Sequence, residues 1–522
     1  MLRSVETKYG KLKGLVGKDP RVTVFRGIPY AKPPVGELRW KAPQPCEPWD
    51  GVKQCYEYGP MPMMRIHPGM DDAFYTKELH PTSAEYDMSE DCLSLNIFSP
   101  AETVDDNLPV FCYIHGGGYQ DGYAYEIEFD GERVARRGVI VVMVGYRLGL
   151  FGFLAHPELT AETPEGGVVS NFGMQDQSLA IHWIHENIEA FGGDPSRITI
   201  CGQSAGCGSV QNQLCSSYNE GLISGAICQS SVNFAFAEDG LLGRTSTLVE
   251  AEANGVRFFE KAKISDLAEA RSLTAEELMK RVGDVSEPGA MFGYMFTPCI
   301  DGRFIKESPV ESYYKDDFRT VPMIVGHCMG EATGGMFARN NVPTYDEFVS
   351  KAKETYGNRA DEFLDVCGVN SDEDVKVLYD RGTYNNMMAG SRGFCELRSS
   401  MGKDVWYYIF DHDIPGDDAG SFHGSDLWFM FDSLGNSWRP FEGKHYDLAR
   451  QVTSYWTNFV KYGTPNAPDG NDYNGLPLPE WKAYRPDEKN VIRFLDKATT
   501  DVLPEDKVID FRVEYAKEKY TT

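Results

Sequence analysis

The stretch Ile198-Thr-Ile-Cys-Gly-Gln-Ser-Ala-Gly-Cys-Gly208 constrains this chain more than any other, because it demands a strand, a sharp corner and a helix within a dozen residues. Arg197 to Cys201 is a short β-rich run after Asp194-Pro195, and Val210 and Leu214, four residues apart, begin an apolar helical stripe. Between them Gly202-Gln203-Ser204-Ala205-Gly206 has the form G-x-S-x-G. A nucleophilic serine needs its hydroxyl exposed on a strained turn, and glycines two residues to either side let strand and helix approach each other. Alone the pentapeptide is weak evidence, since a chain this rich in glycine yields roughly 0.3 matches by chance.

A second stretch changes the odds. In Leu108-Pro-Val-Phe-Cys-Tyr-Ile-His-Gly-Gly-Gly-Tyr119 an apolar strand runs directly into His115-Gly116-Gly117-Gly118. Acyl transfer requires backbone N–H groups aimed at a developing oxyanion, and a glycine loop can offer them unobstructed. This run arises by chance on the order of 0.01 times per chain of such composition. The two motifs, each following a strand, point to an α/β-hydrolase fold.

With those motifs stand Gly27-Ile-Pro-Tyr-Ala-Lys-Pro-Pro-Val-Gly-Glu-Leu-Arg-Trp40, Ser89-Glu-Asp-Cys-Leu-Ser-Leu-Asn-Ile-Phe98, Asn171-Phe-Gly-Met-Gln-Asp-Gln177 and Phe191-Gly-Gly-Asp-Pro195. In this order they resemble the type-B carboxylesterases, the group that includes cholinesterases and bile-salt lipases. The resemblance runs from about Val5 to Trp481.

One large sheet wrapped by helices can absorb 522 residues, and the chain has no linker rich in Pro, Gly or Ser, no repeat and no low-complexity block. A single domain over 1–522 is expected, with helical insertions near 244–290 and 340–400. Apolar runs at 93–98, 108–114, 139–145, 197–201, 225–229, 322–327 and 405–410 alternate with helical stretches and predict a mostly parallel sheet buried on both faces. Residues 5–30 read as a β-meander. Asn171 is placed to cap a helix with Ala180, Trp183, Ile184 and Ile188 on its apolar stripe, and Thr274-Ala-Glu-Glu277 reads as a capping box. The net charge of −27 disfavours nucleic acid and anionic membrane surfaces as partners. The first ten residues carry no apolar signal region, and no run is long enough to span a bilayer. The twelve cysteines lie in apolar segments without a CxxC pair, which suits a reducing, cytoplasmic compartment and gives zinc little support.

The nucleophile needs a base. In this fold the order along the chain is serine, acid, histidine, which leaves His327, His412, His423 and His445 after Ser204. His423 lies in the glycine-rich loop Ala419-Gly-Ser-Phe-His-Gly-Ser-Asp-Leu427, which matches the family's histidine motif, including the acidic Asp426 three residues on. With 78 acidic residues, spacing cannot choose the third member. The resemblance implies Glu331, at the end of Val321-Pro-Met-Ile-Val-Gly-His-Cys-Met-Gly-Glu331, although Gly330 and Ala332 depart from the family's usual neighbours. Asp301, Asp417 and Asp418 remain as alternatives.

The resemblance implies a serine hydrolase acting on uncharged carboxylic esters through an acyl-enzyme: Ser204 attacks, His423 shuttles the proton, Glu331 orients His423, and the N–H groups of Gly117, Gly118 and Ala205 hold the oxyanion. No cofactor or metal is called for. The expected partner is a small-molecule ester, with the protein a monomer or homodimer and no stable membrane insertion. A feruloyl esterase or a lipase is an alternative within the class, and a non-catalytic adhesion protein is the alternative outside it. Secreted relatives bridge the cysteine matching Cys92 to an upstream cysteine, whereas here the matching neighbourhood is Gly59-Pro-Met-Pro-Met-Met64, so Cys92 is expected to be a free thiol. Cholinesterases carry a tryptophan before the Ser-Glu-Asp-Cys motif and a glutamate before the nucleophile. This chain has no tryptophan between Trp49 and Cys92, and Gln203 stands before Ser204, so a cationic choline ester is not the expected substrate, even with Tyr119, Tyr123 and Tyr125 available as pocket aromatics.

Overall fold

The computed structural model describes residues 1–64, 74–79, 87–230, 245–287, 294–331, 342–380 and 386–521. Ala332, both ends of the first expected insertion (244 and 288–290), and 340–341 and 381–385 of the second lie outside the described residues. An eleven-stranded sheet forms the centre. In chain order its strands are β1 (Leu15–Val16), β2 (Thr23–Pro29), β3 (Ser94–Ser99), β4 (Leu108–Ile114), β5 (Ile140–Val144), β6 (Gly193–Gln203), β7 (Gly225–Gln229), β8 (Met323–Cys328), β9 (Val405–Phe410), β10 (Asn490–Phe494) and β11 (Ala498–Val502). Their spatial order is 11-10-9-8-7-6-4-5-3-2-1. The seven neighbours from β5 to β10 pair in parallel, and antiparallel strands finish both edges.

This topology decides where chemistry can occur. Parallel strands bring all their carboxyl ends to one edge of the sheet, so the segments after β4, β6, β8 and β9 converge there. The strands β4, β5, β7, β8 and β9 are buried almost along their whole length because helices cover both faces. Cys112, Cys201 and Cys228 are wholly buried within β4, β6 and β7, and all twelve cysteines, Cys92 included, are free thiols.

Several sequence expectations are revised. The N-terminal meander divides: Ser4–Thr7, Gly10–Lys13 and Val52–Gln54 form a separate three-stranded sheet, whereas β1 and β2 join the large one. The helix Phe172–Asn187 forms as expected, but Asn171 does not cap it through its side chain. Asn171 instead brackets the backbone of Cys299, donating to its carbonyl at 2.8 Å and accepting from its N–H at 2.9 Å, so a tertiary contact outcompetes the local one. Of the expected Thr274–Glu277 capping box only half forms: Thr274 accepts the Glu277 N–H at 3.2 Å at the start of the helix Ala275–Val285, while the Glu277 carboxylate pairs with Arg281. The expected insertions are helical: Leu248–Ala262, Leu267–Ser272 and Ala275–Val285 in the first, Tyr345–Tyr356, Ala360–Cys367, Asp372–Asp380 and Asn386–Ser400 in the second.

Two buried ion pairs tie the frame to the sheet edge. Arg147 grips Asp176 with two bonds of 2.7 and 2.8 Å, and Arg39 grips Glu90 in the same bidentate manner. A forked guanidinium is suited to such burial, and removing either partner would strand a charge in the interior.

Candidate active site

Ser204 occupies the corner between β6 and the helix Ala205–Cys215, at φ 57° and ψ −125°. A non-glycine residue held there is strained by about 1–3 kcal/mol. The neighbouring strand opposes that strain: the Ser204 N–H donates to the Gln229 carbonyl at 2.9 Å, and the Ser204 carbonyl accepts the Gly208 N–H at 3.1 Å. Both motif glycines are sterically required. A methyl group on Gly202 would come within 2.3 Å of the Gly206 carbonyl oxygen, and one on Gly206 within 2.2 Å of the Ile114 carbonyl oxygen. The pentapeptide therefore encodes a close crossing of helix start and strand end, as its spacing implied.

The glycine loop after β4 lies against this corner. A methyl group on Gly116 would meet the Gln203 carbonyl oxygen at 2.7 Å and the Ser204 Cβ at 3.2 Å. Gly117 adopts φ +97°, and a side chain there would run into the Asp121 backbone at 2.1 Å. The N–H groups of Gly117, Gly118 and Ala205 have no hydrogen-bond acceptor among the described residues. Ala205 is moreover the first residue of its helix, where N–H groups lack intrahelical partners and the dipole favours negative charge.

His423 and Glu331 meet because two loops are stitched together one residue earlier. Gly330 and Phe422 form an isolated parallel bridge, and the Gly330 N–H donates to the Ser421 carbonyl and hydroxyl, each at 3.0 Å. The next residue on each loop then faces its counterpart, with His423 Nδ1 hydrogen-bonded to Glu331 Oε2. Glu331 Oε1 accepts the Cys328 N–H at 2.8 Å, which fixes the carboxylate plane. Both side chains are buried, His423 at 5% exposure and Glu331 at 3%. The other edge of the imidazole reaches the corner: His423 Nε2 lies 3.1 Å from the amide nitrogen of Gln203, the residue preceding Ser204.

The alternatives are engaged elsewhere. His327 is held between the Tyr407 hydroxyl and the Cys328 carbonyl, and burial pushes its pKa down. His412 packs against Phe429 and His445, with its pKa lowered by burial to about 4, and His445 Nδ1 accepts the Glu442 N–H at a helix start. Asp301 accepts the N–H groups of Arg303 and Ile305 in a turn, Asp417 pairs with Arg439, and Asp418 is exposed. Of the three tyrosines offered as pocket aromatics, Tyr119 is buried against the helix Ala205–Cys215 at Gly208, Tyr123 is buried, and Tyr125 stacks on Tyr58 and donates to the Gly59 carbonyl.

The roles of three features escaped the sequence, although Asp426 and Gln203 were both noted in it. Asp426 is buried and accepts from the Tyr408 hydroxyl at 2.7 Å and the Gln229 amide at 3.0 Å, and burial raises its pKa. Since the Gln229 carbonyl takes the Ser204 N–H, Asp426 braces the corner from beneath. The short helix Phe74–Leu79 clamps the histidine loop: the Tyr75 hydroxyl donates to the His423 carbonyl at 2.9 Å, Phe74 meets Phe422 edge to face, and Glu78 pairs with Arg439. The third is the Gln203 contact itself. Only the acid at position 426 had a sequence signal, its place three residues after His423.

This constellation, a strained serine, a buried imidazole–carboxylate pair and a glycine loop beside them, has counterparts among known proteins. Residues 2–512 match the model of the Carboxylesterase family. A fumonisin B1 esterase from Sphingopyxis macrogoltabida is 33% identical over 484 residues, covering 88% of this chain and 82% of that protein. A para-nitrobenzyl esterase from Bacillus subtilis is 30% identical over 512 residues, 96% of each. Among solved structures, a para-nitrobenzyl esterase superposes with a TM-score of 0.81 at 27% identity, covering 98% of this chain and 99% of that one. A carboxylesterase from Geobacillus stearothermophilus gives 0.72 at 29%, covering 96% and 98%. The chain belongs to the carboxylesterase family, with the α/β-hydrolase fold, and is a serine hydrolase of carboxylic esters.

Proposed function

We propose that the hydrolysis runs on Ser204, His423 and Glu331, within one domain and without a cofactor. Ser204 Oγ attacks the ester carbonyl while His423 Nε2 takes its proton. His423 then protonates the departing alcohol and activates the water that releases the acyl group. Glu331 holds the Nδ1–H tautomer and stabilises the imidazolium. The N–H groups of Gly117, Gly118 and Ala205 receive the oxyanion, each donor worth on the order of 3 kcal/mol in comparable sites. The observation that carries this reading is the unbroken chain of contacts from the Cys328 N–H through Glu331 and His423 to the Gln203-Ser204 corner, with Gly116 against Ser204. An organophosphate or sulfonyl fluoride should label Ser204, as read by peptide mapping. Activity largely retained in Ser204→Ala, or a label on another serine, would refute the assignment.

The substrates proposed are small uncharged esters. Two relatives are named for different substrates, a para-nitrobenzyl esterase and a fumonisin B1 esterase, so a panel of chromogenic esters of varied acyl length is the discriminating assay. Twelve free thiols support a reducing cytoplasmic setting, and among the described residues no helix is long and apolar enough to cross a membrane. A monomer or homodimer is proposed, to be read by light scattering.

A further inference from the structure

Gln203 stands where the glycine loop, the nucleophile and the histidine meet. It ends β6, is 5% exposed, and faces Gly116 with its backbone carbonyl and its Oε1. Its amide nitrogen lies 3.1 Å from His423 Nε2. The Glu331 carboxylate is an acceptor, so in the neutral ring the hydrogen sits on Nδ1 and Nε2 carries the lone pair. A lone pair calls for a donor, which is the NH₂ end of Gln203. Turned over, the same amide presents Oε1, which suits only a ring protonated at Nε2. A carboxylate at this position could do the second job and never the first.

Resting on the reading of His423 as the base, we propose that Gln203 is a positioning residue that holds the imidazole in its neutral, proton-accepting state and yields the Nε2 lone pair to Ser204 as the ester is attacked. The amide competes with the serine hydroxyl for one acceptor, so the resting site is kept in register without a charge. Once Nε2 is protonated the amide NH₂ would face another donor, so the side chain must first turn over before Oε1 can accept that hydrogen. A glutamate in its place, which can only accept, would favour the imidazolium and silence the base at higher pH. Among the described residues, titratable groups near this imidazole include Glu331 from the loop after β8, Asp426 from its own loop, Cys328 from the end of β8, and Tyr75, bonded to the His423 carbonyl. All four are the same in the wild type and in both Gln203 variants that test the proposal.

The test is the pH profile of kcat/KM for an uncharged p-nitrophenyl ester with the wild type, Gln203→Glu, Gln203→Asn and His423→Ala, each checked for a cooperative thermal transition. The acid limb of Gln203→Glu should move up by about one pH unit, a roughly tenfold loss at a pH on the limb relative to its own plateau. Gln203→Asn keeps an amide but shortens its reach, so its limb should move the same way by less. Both limbs lying within about 0.2 unit of the wild type, with His423→Ala inactive, would overturn the proposal and leave Gln203 as filling. A His423→Ala protein that keeps its activity and its acid limb would instead overturn the assignment of the base. Should Gln203→Glu fail to fold, Gln203→Asn alone carries the decision.

Discussion

Glu331→Gln removes one negative charge with almost no change of shape, and the surrounding bonds dictate how the new amide must orient. The buried Cys328 N–H must keep an acceptor, since an unpaired buried donor costs about 1–3 kcal/mol. The amide therefore turns its carbonyl toward Cys328 and its NH₂ toward His423 Nδ1. Nδ1, now facing a donor, holds the lone pair, and the ring hydrogen moves to Nε2. Gln203 can respond by turning its Oε1 to that hydrogen, so the wrong tautomer is accommodated on both edges. Ser204 is left without a base, and the imidazolium of the transition state without its counter-charge. The comparable Asp→Asn change in a serine protease costs about 10⁴ in kcat, which is about 5.4 kcal/mol at 1.36 kcal/mol per decade. The assay is steady-state hydrolysis of p-nitrophenyl acetate, with kcat and KM resolved separately. The loss should fall on kcat, with KM changed by less than about threefold, since no contact made by Glu331 reaches the ester. Loss of less than about tenfold would refute the tautomer argument and reopen the choice of acid.

Thiol titration in denaturant without reductant should find close to twelve groups, and Cys92, buried with its pKa raised, should not react in the native protein; a peptide bridging Cys55 and Cys92 would contradict this. A choline ester and its neutral 3,3-dimethylbutyl isostere should differ little in kcat/KM; a preference above about tenfold for the cation, persisting at high salt, would overturn the uncharged-substrate reading. Glu128 is wholly buried next to Glu126, and burial raises its pKa from 4.5 to about 7. Between those values the native protein holds a proton that the unfolded chain has released, so stability falls as pH rises through that window, with the full penalty present above it. Glu128→Gln should therefore stabilise the protein at pH 8, by on the order of 1 kcal/mol or more, and not at pH 5. Equal shifts in chemical denaturation at the two pH values would refute it.

How legible each feature was in the sequence depends on the range over which it is determined. The inner strands were legible because a parallel sheet covered on both faces tolerates only apolar runs: 108–114, 225–229 and 405–410 were located to the residue. The outer pair β10 and β11 was not, since β11 (Ala498-Thr-Thr-Asp-Val502) alternates with exposed polar residues and resembles a loop until β10 supplies its partner. Ser204 and the glycines were legible for a different reason: positive φ and contacts near 2 Å leave few choices of residue, so the backbone writes itself into the pattern. Glu331 had no such signature. Its role depends on a bridge between Gly330 and Phe422, and the bond it enables spans 92 residues. Gln203 is the extreme case, a residue read before the fold only for its lack of charge, whose amide meets an imidazole 220 positions away. Several of the motifs that carried the family resemblance work at a distance from the chemistry, since Arg39 with Glu90 and Asp176 with Arg147 are buried pairs that fix the frame. Recognition of the family thus rests in good part on residues that hold the sheet edge in place. The contacts around the serine corner depend on residues such as Gln203 and Asp426, whose neighbours exist only once β6, β7, β8 and β9 lie side by side.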